Sequence, residues 1–567
     1  MPTSSFFTAE SKIPISQKRV SVQAENGLSY SLGQRINFEI PASTGYFMPS
    51  ETYLRMDVKV QMPSVVSGEI SRLQLDGELG GQVLIRDIVI RSGGAQNVLL
   101  EEIQNVNVLT ALKYDYETND NISAKRALTE GTQYRSVTNR GTLGAEETIM
   151  NNQTDNAYYE PTSGTFNQAS YRTVKCLLRL PTGIFQNDRV FPLQLTDGLR
   201  IEILLEESSK VFRKLDTTLR NKSIISNPRF HSINGSETVG AANNWGNGVS
   251  TTTLFLQRDN GCSSALSCPF SVGENIGWYN PTTDYDGHKT ADFIITQIDF
   301  VVGAGAVERI RLTGANTANT GTAIGPGSFA YSLTGSNGTY TPTASVDNVE
   351  LILQQVIMPE GYTSKMMSML KSGGSLNYDF LSFTNYKYSQ LESDRVANIR
   401  LPIQNSRCKS ILCIPTDASV YTAGNVINAS GTYNVNDLVA DCGTSGVNNS
   451  TRSGLVGITD RLSHYQFIYD GRLNPNRRVP CGRLALNTGG VQAINQQVFI
   501  EQEKALHMAN IDPLSFKKFQ YNFFIGRALS LSDGVYDARG KDFNLQVEYQ
   551  ETAGGPTKPH FWDCYVA

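Results

Sequence analysis

Between Leu54 and Met62 the apolar residues Leu54, Met56, Val58, Val60 and Met62 alternate with Arg55, Asp57, Lys59 and Gln61. A period of two is the signature of a β-strand with one buried and one wet face. Leu199, Ile201, Ile203 and Leu205 repeat the pattern against Arg200, Glu202 and Leu204. The same reading predicts strands over 36–40, 83–90, 174–180, 293–302, 307–312, 349–356, 397–401, 410–414, 465–469, 521–525 and 543–549. Many short strands punctuated by Gly, Asn, Asp and Pro point to sandwiches or jelly rolls and away from α/β folds. The strand-rich pattern recurs in both halves of the chain, without a simple tandem repeat.

Helical periodicity is confined to three segments. Residues 97–116 space Leu99, Ile103, Val106 and Leu109 for a helix directly after Gly93-Gly94. Residues 359–370 put Met366, Met367 and Leu370 near one face, and 493–508 carry Ile494, Val498 and Ala505. Each reads as a decoration on a β scaffold. Four long polar segments, 118–169, 232–252, 314–345 and 420–453, are rich in Asn, Gly, Thr and Ser. Loops of this length are uncommon in compact domains unless they serve a function or are disordered. Their low charge favours ordered excursions that pack on one another or on neighbouring subunits.

Charge narrows the function. Lys plus Arg number 49 against 53 Asp plus Glu, a net −4, and charged residues are only 18% of the 567. A dedicated nucleic-acid binder needs a basic field, which this chain lacks. A nearly neutral surface also weakens the repulsion that keeps copies apart. The first twenty residues hold no apolar run fit for a secretory signal, and no window approaches a membrane span. The chain therefore reads as soluble and made in the cytosol, where Cys262 and Cys268 stay as thiols and sequons such as Asn121-Ile122-Ser123 and Asn337-Gly338-Thr339 are chance.

No candidate chemistry survives inspection. His231, His288, His464, His507 and His560 are scattered, with no second ligand at metal spacing. Cys408 and Cys413 sit at an odd offset, which on one strand would turn them to opposite faces. Asp284-x-Asp286-Gly287-His288 resembles the opening of a calcium loop, but its twelfth position falls on Ile295 instead of Glu. The Gly-rich run 321–327 lacks the Lys-Ser/Thr ending of a phosphate loop. Glu101-Glu102 and Glu206-Glu207 are adjacent, which does not place two carboxylates across one bond. A nucleophile elbow is absent. We assign no catalytic, cofactor-binding or metal-binding residue and expect a non-enzyme.

Four collinear segments carry a resemblance: VLIRDIVIRSGG (83–94) leading into the helical run; LRLPTGIFQNDRVFPLQLTDGLRIEILLE (178–206); VELILQQVIMPEGYTSKMMSMLKSGGSLNYDFLSFTNYK (349–387); and ANIRLPIQNSRCKSILCIP (397–415) paired with YNFFIGRALSLSDGVYDARGKDFNLQVEY (521–549). Their order resembles the double-jelly-roll major capsid proteins of eukaryotic double-stranded DNA viruses, from about Arg35 onward. The wording of 534–549 is closer to the virophage and polinton-like members. Giant-virus members often carry Asn-His-Pro in the second roll, where this chain has Ile403-Gln404-Asn405-Ser406. Ala553-Gly554-Gly555 resembles a Gly-Gly processing context, but Pro556 makes it a turn.

The resemblance implies an all-β fold of two tandem eight-stranded jelly rolls. Residues 1–20 become an N-terminal arm whose Lys12, Lys18 and Arg19 could face a capsid interior. Residues 21–370 form the first roll with long insertions, and 371–567 the second. The boundary falls near 371–379, and a short closing strand covers 560–566. Function follows as a virion capsid subunit: homotrimers of nearly hexagonal outline tile an icosahedral shell around double-stranded DNA. Partners are further copies of the chain, then penton and minor or cement proteins, without specific nucleic-acid binding. The competing reading is a carbohydrate-binding or carbohydrate-hydrolysing β-sandwich, with Trp245, Trp278 or Tyr clusters lining a cleft beside carboxylates. A minor vertex or spike protein, usually a single roll, would not need 567 residues.

Overall fold

The computed structural model describes residues 16–61, 72–75, 79–95, 97–117, 119–132, 146–148, 173–215, 232–233, 253–257, 275–279, 289–302, 308–316, 329–332, 343–374, 378–418, 455–458, 462–481, 496–514, 522–530, 534–549, 556 and 559–567. In the first part of the chain the strands are β1 (Ser16–Gln23), β2 (Ser29–Ser31), β3 (Arg35–Ile40), β4 (Tyr46–Gln61), β5 (Ile85–Ser92), β6 (Leu99–Ile103), β7 (Thr173–Leu178), β8 (Phe191–Pro192), β9 (Leu199–Leu205) and β10 (Thr343–Ile357). One sheet runs β1-β10-β4, with β8 and β7 end to end along the other edge of β4 and β2 on β10. The facing sheet is β3-β9-β5-β6. The second part supplies β11 (Thr384–Gln390), β12 (Val396–Leu401), β13 (Ser410–Asp417), β14 (Leu462–Tyr469), β15 (Arg472–Pro480), β16 (Ile525–Ala528), β17 (Phe543–Tyr549) and β18 (His560–Val566). They form sheets β11-β18-β13-β16 and β12-β17-β14-β15.

Setting aside the short β2 and β8, the eight main strands of each part follow one plan. The first, eighth, third and sixth make one sheet, and the second, seventh, fourth and fifth make the other. That antiparallel order is the jelly roll, and the chain carries it twice. The repeat invisible as a sequence period is thus explicit in strand order.

The alternating residues build the cores. In the first roll Ile36, Phe38, Ile40, Ile88, Ile90, Ile201 and Ile203 of one sheet face Leu54, Met56, Val58, Leu178, Leu351 and Leu353 of the other, all buried. Along β10 the inward parity changes from Val346 to Leu351. A bulge between Asp347 and Glu350 absorbs the extra residue, with Asn348 at φ 50°. The second roll packs Ile399, Phe467, Leu545 and Val547 against Ile411, Cys413, Trp562 and Cys564.

Between β9 and β10 the chain leaves the roll to form an added sheet. Its strands are Ser232–Ile233, Thr253–Gln257, Asn275–Tyr279, Lys289–Val302, Glu308–Asn316 and Phe329–Ser332, joined by Glu146–Thr148 from the β6–β7 connection. Arg72–Leu75 and Phe212–Leu215 pair separately.

Helix α1 is Val106–Glu117, so the front of the expected helix 97–116 is strand β6 instead. Asn105 in the left-handed region, φ 49°, separates the two. Part of the polar segment 118–169 is also helical: α2 (Asp120–Glu130) is capped by the Asn119 side chain, which accepts from Ile122 N at 2.8 Å, and ends on Gly131 at φ 74°. The expected strand 83–90 begins with a 3-10 turn, Gly80–Leu84. The strand expected over 521–525 is Ile525–Ala528, preceded by Phe523, whose N–H donates to Gly457 O at 2.9 Å; residue 521 lies outside the described residues. The remaining helices among the described residues are α3 (Ser208–Val211), α4 (Glu360–Lys371) and α5 (Gln496–Met508), with 493–495 outside the described residues. Lys18 and Arg19 lie on β1 opposite Gln355 and Gln354, while Lys12 lies outside the described residues.

Leu545 is fully buried on β17, a central strand. Leu545→Ala should lower stability by about 2–5 kcal/mol, read as a reduced urea midpoint.

Candidate functional site: the seam between the rolls

The most elaborate polar chemistry among the described residues lies where the two rolls meet. It begins with α1, whose buried residues include Val106, Asn107, Val108, Ala111, Leu112, Asp115 and Tyr116. A helix covered nearly all round belongs to an interior. Here the interior is shared by both rolls, whose buried apolar residues form one continuous cluster.

Asn105 anchors the start of α1. Its side-chain amide donates to Asp563 Oδ1 at 2.7 Å and its Oδ1 accepts from Lys387 Nζ at 3.2 Å. Its main-chain N–H donates to Asp87 Oδ1 at 2.9 Å, and its carbonyl accepts from the Tyr565 hydroxyl at 2.6 Å. Asn385 Nδ2 adds a second donor to Asp563 Oδ1 at 2.8 Å. Alternation on β18 makes this possible. His560, Trp562 and Cys564 point into the second roll, whereas Asp563 and Tyr565 point at the first, and all five are buried.

The far end of α1 is tied as well. Asn522 Nδ2 donates to Asp115 Oδ2 at 2.8 Å, and the Tyr116 hydroxyl donates to Asn522 O at 3.2 Å. The Tyr116 ring meets Phe524 edge to face at 5.5 Å, and Leu514 N donates to Tyr116 O at 2.9 Å. A third clamp holds the connection between the rolls. Glu101 accepts from Gly183 N at 2.7 Å, Ile184 N at 3.0 Å and Ser382 Oγ at 2.8 Å. Asn187 Nδ2 donates to Asp379 O at 2.8 Å, and the Tyr378 hydroxyl donates to Arg189 O at 3.2 Å. Gly183 has no room for a side chain, since a Cβ there would stand 2.0 Å from Leu381 O.

Two cavities flank the seam. One of about 330 Å³ is lined by Arg86, Glu206, Lys210, Lys387, Trp562 and Asp563 among others. The other, about 350 Å³, is bordered by Lys113, Gly183, Asn187, Arg189, Asp379 and Phe380 among others. In the first, cations face compensating groups: Lys210 Nζ is 3.8 Å from Glu206 and Arg86 Nε 3.3 Å from Asp87. Neither lining contains a Ser, Cys or His.

Burial pushes the carboxyls of Glu101 and Asp563 above the usual range, against the pull of their hydrogen-bond donors. Burial also lifts Glu130 to about 7, where the Tyr114 hydroxyl donates to it at 2.8 Å. A carboxyl near neutrality is suited to proton transfer, but Glu130 is sealed and lines neither cavity.

The residues weighed in the sequence are dispersed. His560 is buried with Nδ1 3.1 Å from the Tyr549 hydroxyl, His464 Nδ1 is 2.7 Å from Ser463 Oγ, and His507 is exposed on α5. Cys408 precedes β13 and joins Tyr536 by a single bridge, so it does not lie on one strand with Cys413 as the sequence suggested; both are buried. Glu206 is buried and accepts from Asn107 Nδ2 at 2.8 Å, with Glu207 beside it in the chain. His231, His288, Cys262, Cys268, Trp245, the stretch 284–287 and the Gly-rich run 321–327 lie outside the described residues, as does the Trp278 side chain. Among the described residues no three His, Cys, Asp or Glu side chains gather as a metal would require. No described helix is long and apolar enough to cross a membrane. Sequence periodicity missed Asn105, although an Asn directly before an apolar helical run is a helix-start signal.

No family model matches the chain, and neither does any curated protein. Several solved structures are similar to it. The Faustovirus major capsid protein has 10% identity, with 98% of this chain and 90% of that one covered and a TM-score of 0.48. PBCV-1 VP54, as fitted into a reconstruction of the virophage Sputnik, has 9% identity, 98% and 94% coverage and a TM-score of 0.43. The mavirus major capsid protein has 9% identity, 100% and 90% coverage and a TM-score of 0.34.

Asn105→Ala removes two side-chain hydrogen bonds and a residue suited to positive φ, and should cost roughly 3 kcal/mol in denaturant titration. A raised carboxyl pKa means the native state holds its proton more tightly. The resulting stability is present below the ordinary value of 3.8 for Asp563 and is lost as pH rises through the raised one. Asp563→Asn keeps an oxygen for both amide donors, so its urea midpoint should fall less between pH 4 and pH 7 than that of the unaltered chain.

Proposed function

We propose that the chain is a structural subunit of a viral capsid, assembling as homotrimers whose six jelly rolls present a nearly hexagonal outline. The observation that carries this reading is the same eight-strand order twice in one chain, with α1 and the Glu101 clamp holding the two rolls together. Three copies of a body made of two like units place six like units around a threefold axis. Such a capsomer can meet neighbours on six sides while using one kind of chain.

Several features support a tiling role over a catalytic one. The titratable groups of the seam are spent on holding it, with Glu101, Asp115 and Asp563 each satisfied by neutral donors. A net charge of −4 on 567 residues leaves weak repulsion between copies and little attraction for a polyanion. The polar segments, low in charge and rich in hydroxyls and amides, suit many wet contacts between capsomers, each weak enough to be corrected during assembly. Penton and minor proteins would complete a shell around double-stranded DNA, and residues 534–549 resemble the virophage and polinton-like type.

Purified chain should scatter light with a mass three times 62.3 kDa and give hexagonal outlines in negative-stain images. A monodisperse monomer, above all one that binds oligosaccharides, would overturn the proposal and favour the carbohydrate-binding alternative.

A further inference from the structure

Cys413 on β13 and Cys564 on β18 are direct partners in the ladder between those strands. Both carry free thiols and both are fully buried. Ladder bonds fix the kind of pair they form. Ala567 N donates to Ser410 O and Ala418 N to Pro559 O, which puts the hydrogen-bonded pairs on even-numbered residues of β13. Cys413 and Cys564 are therefore a non-hydrogen-bonded pair, the kind whose Cα atoms approach to about 4.5 Å with side chains closest. That spacing lies at the short end of the range a disulfide spans. Cys408 and Cys481, also buried and free, are not ladder partners of either residue.

We propose that Cys413 and Cys564 are a cross-strand redox staple, reduced when the chain is made and closed to a disulfide when it meets a disulfide-class oxidant such as oxidised glutathione. The step is an exchange. The thiolate of one cysteine attacks the glutathione disulfide and expels one glutathione thiolate. The second cysteine thiolate then displaces the other glutathione, which closes the Cys413–Cys564 bond. Two cysteine thiols are oxidised, one glutathione disulfide becomes two thiols, and the two cysteine protons pass to the departing thiolates.

Burial shapes when this happens. An enclosed thiol held above its ordinary pKa exchanges poorly, so closure belongs to moments when β18 is open, during folding or local unfolding. Because β18 lies between β11 and β13, the bond would pin a central strand of the second roll. It would also close a long loop, from residue 413 to residue 564, in the unfolded chain. The staple is independent of the capsid reading, since it depends only on the β13–β18 register.

The test is to refold urea-denatured chain in an oxidising glutathione buffer, block the remaining thiols and map peptides by mass spectrometry. A parallel sample is held folded in sub-denaturing urea with the same buffer, so that a failure to refold does not decide the matter. The expected result is one cross-linked peptide pair joining Cys413 to Cys564, and a melting temperature raised on the order of 5 °C or more that dithiothreitol reverses. Cys564→Ala should abolish both the cross-link and the dithiothreitol-sensitive shift. Both samples remaining fully reduced, a bond to Cys408 or Cys481 instead, or a cross-linked protein melting no higher than the reduced one would each overturn the proposal.

Discussion

Asn105 is the point on which the two-roll arrangement turns. A residue in the left-handed region ends β6 and starts α1, and all of its polar groups are engaged. Two of those partners, Asp563 and Tyr565, belong to the last strand of the second roll. The requirement is a strict one, because a buried carboxylate left without donors costs several kcal/mol. Asp563 can face the first roll only while Asn105 and Asn385 are there to donate. Separating the rolls would instead expose the apolar surface of α1. Polar matching fixes the relative placement and apolar burial supplies the driving force.

This explains why β18 does not alternate in the ordinary way. His-Phe-Trp-Asp-Cys-Tyr-Val has buried residues on both faces because one serves its own roll and the other the seam. The same logic covers α1, whose buried positions extend round most of its circumference. Where two rolls share one interior, the usual rule of one wet face per sheet is suspended locally, and the polar residues found there are those with partners across the seam.

Much of the scaffold was legible in the sequence. Strand β17 was read with the limits 543–549 and β18 with 560–566, and Leu199–Leu205 follows the alternation to the residue. Those segments have unbroken periods of two or dense apolar runs. The misreadings have identifiable causes. Leu99 and Ile103 fit a helical spacing by coincidence, and the positive φ of Asn105 that divides strand from helix has no periodic signature. Residues 120–130 are too polar to show an apolar stripe, so only the caps Asn119 and Gly131 marked that helix. The change of inward parity on β10 hides the strand's full length, since a bulge is a local backbone event.

The sequence by itself determined that this chain is a two-sided β protein with a weakly charged surface, because side-chain period and composition are local properties that need no partner. Its resemblance motifs also determined the order of the segments. The resemblance implied two like rolls, and the tertiary structure alone decided that Asn105 meets Asp563 and that Cys413 lies opposite Cys564. These are pairings between residues far apart in the chain, set by strand register and by which buried polar groups can satisfy one another, and neither quantity is written in any local stretch of sequence.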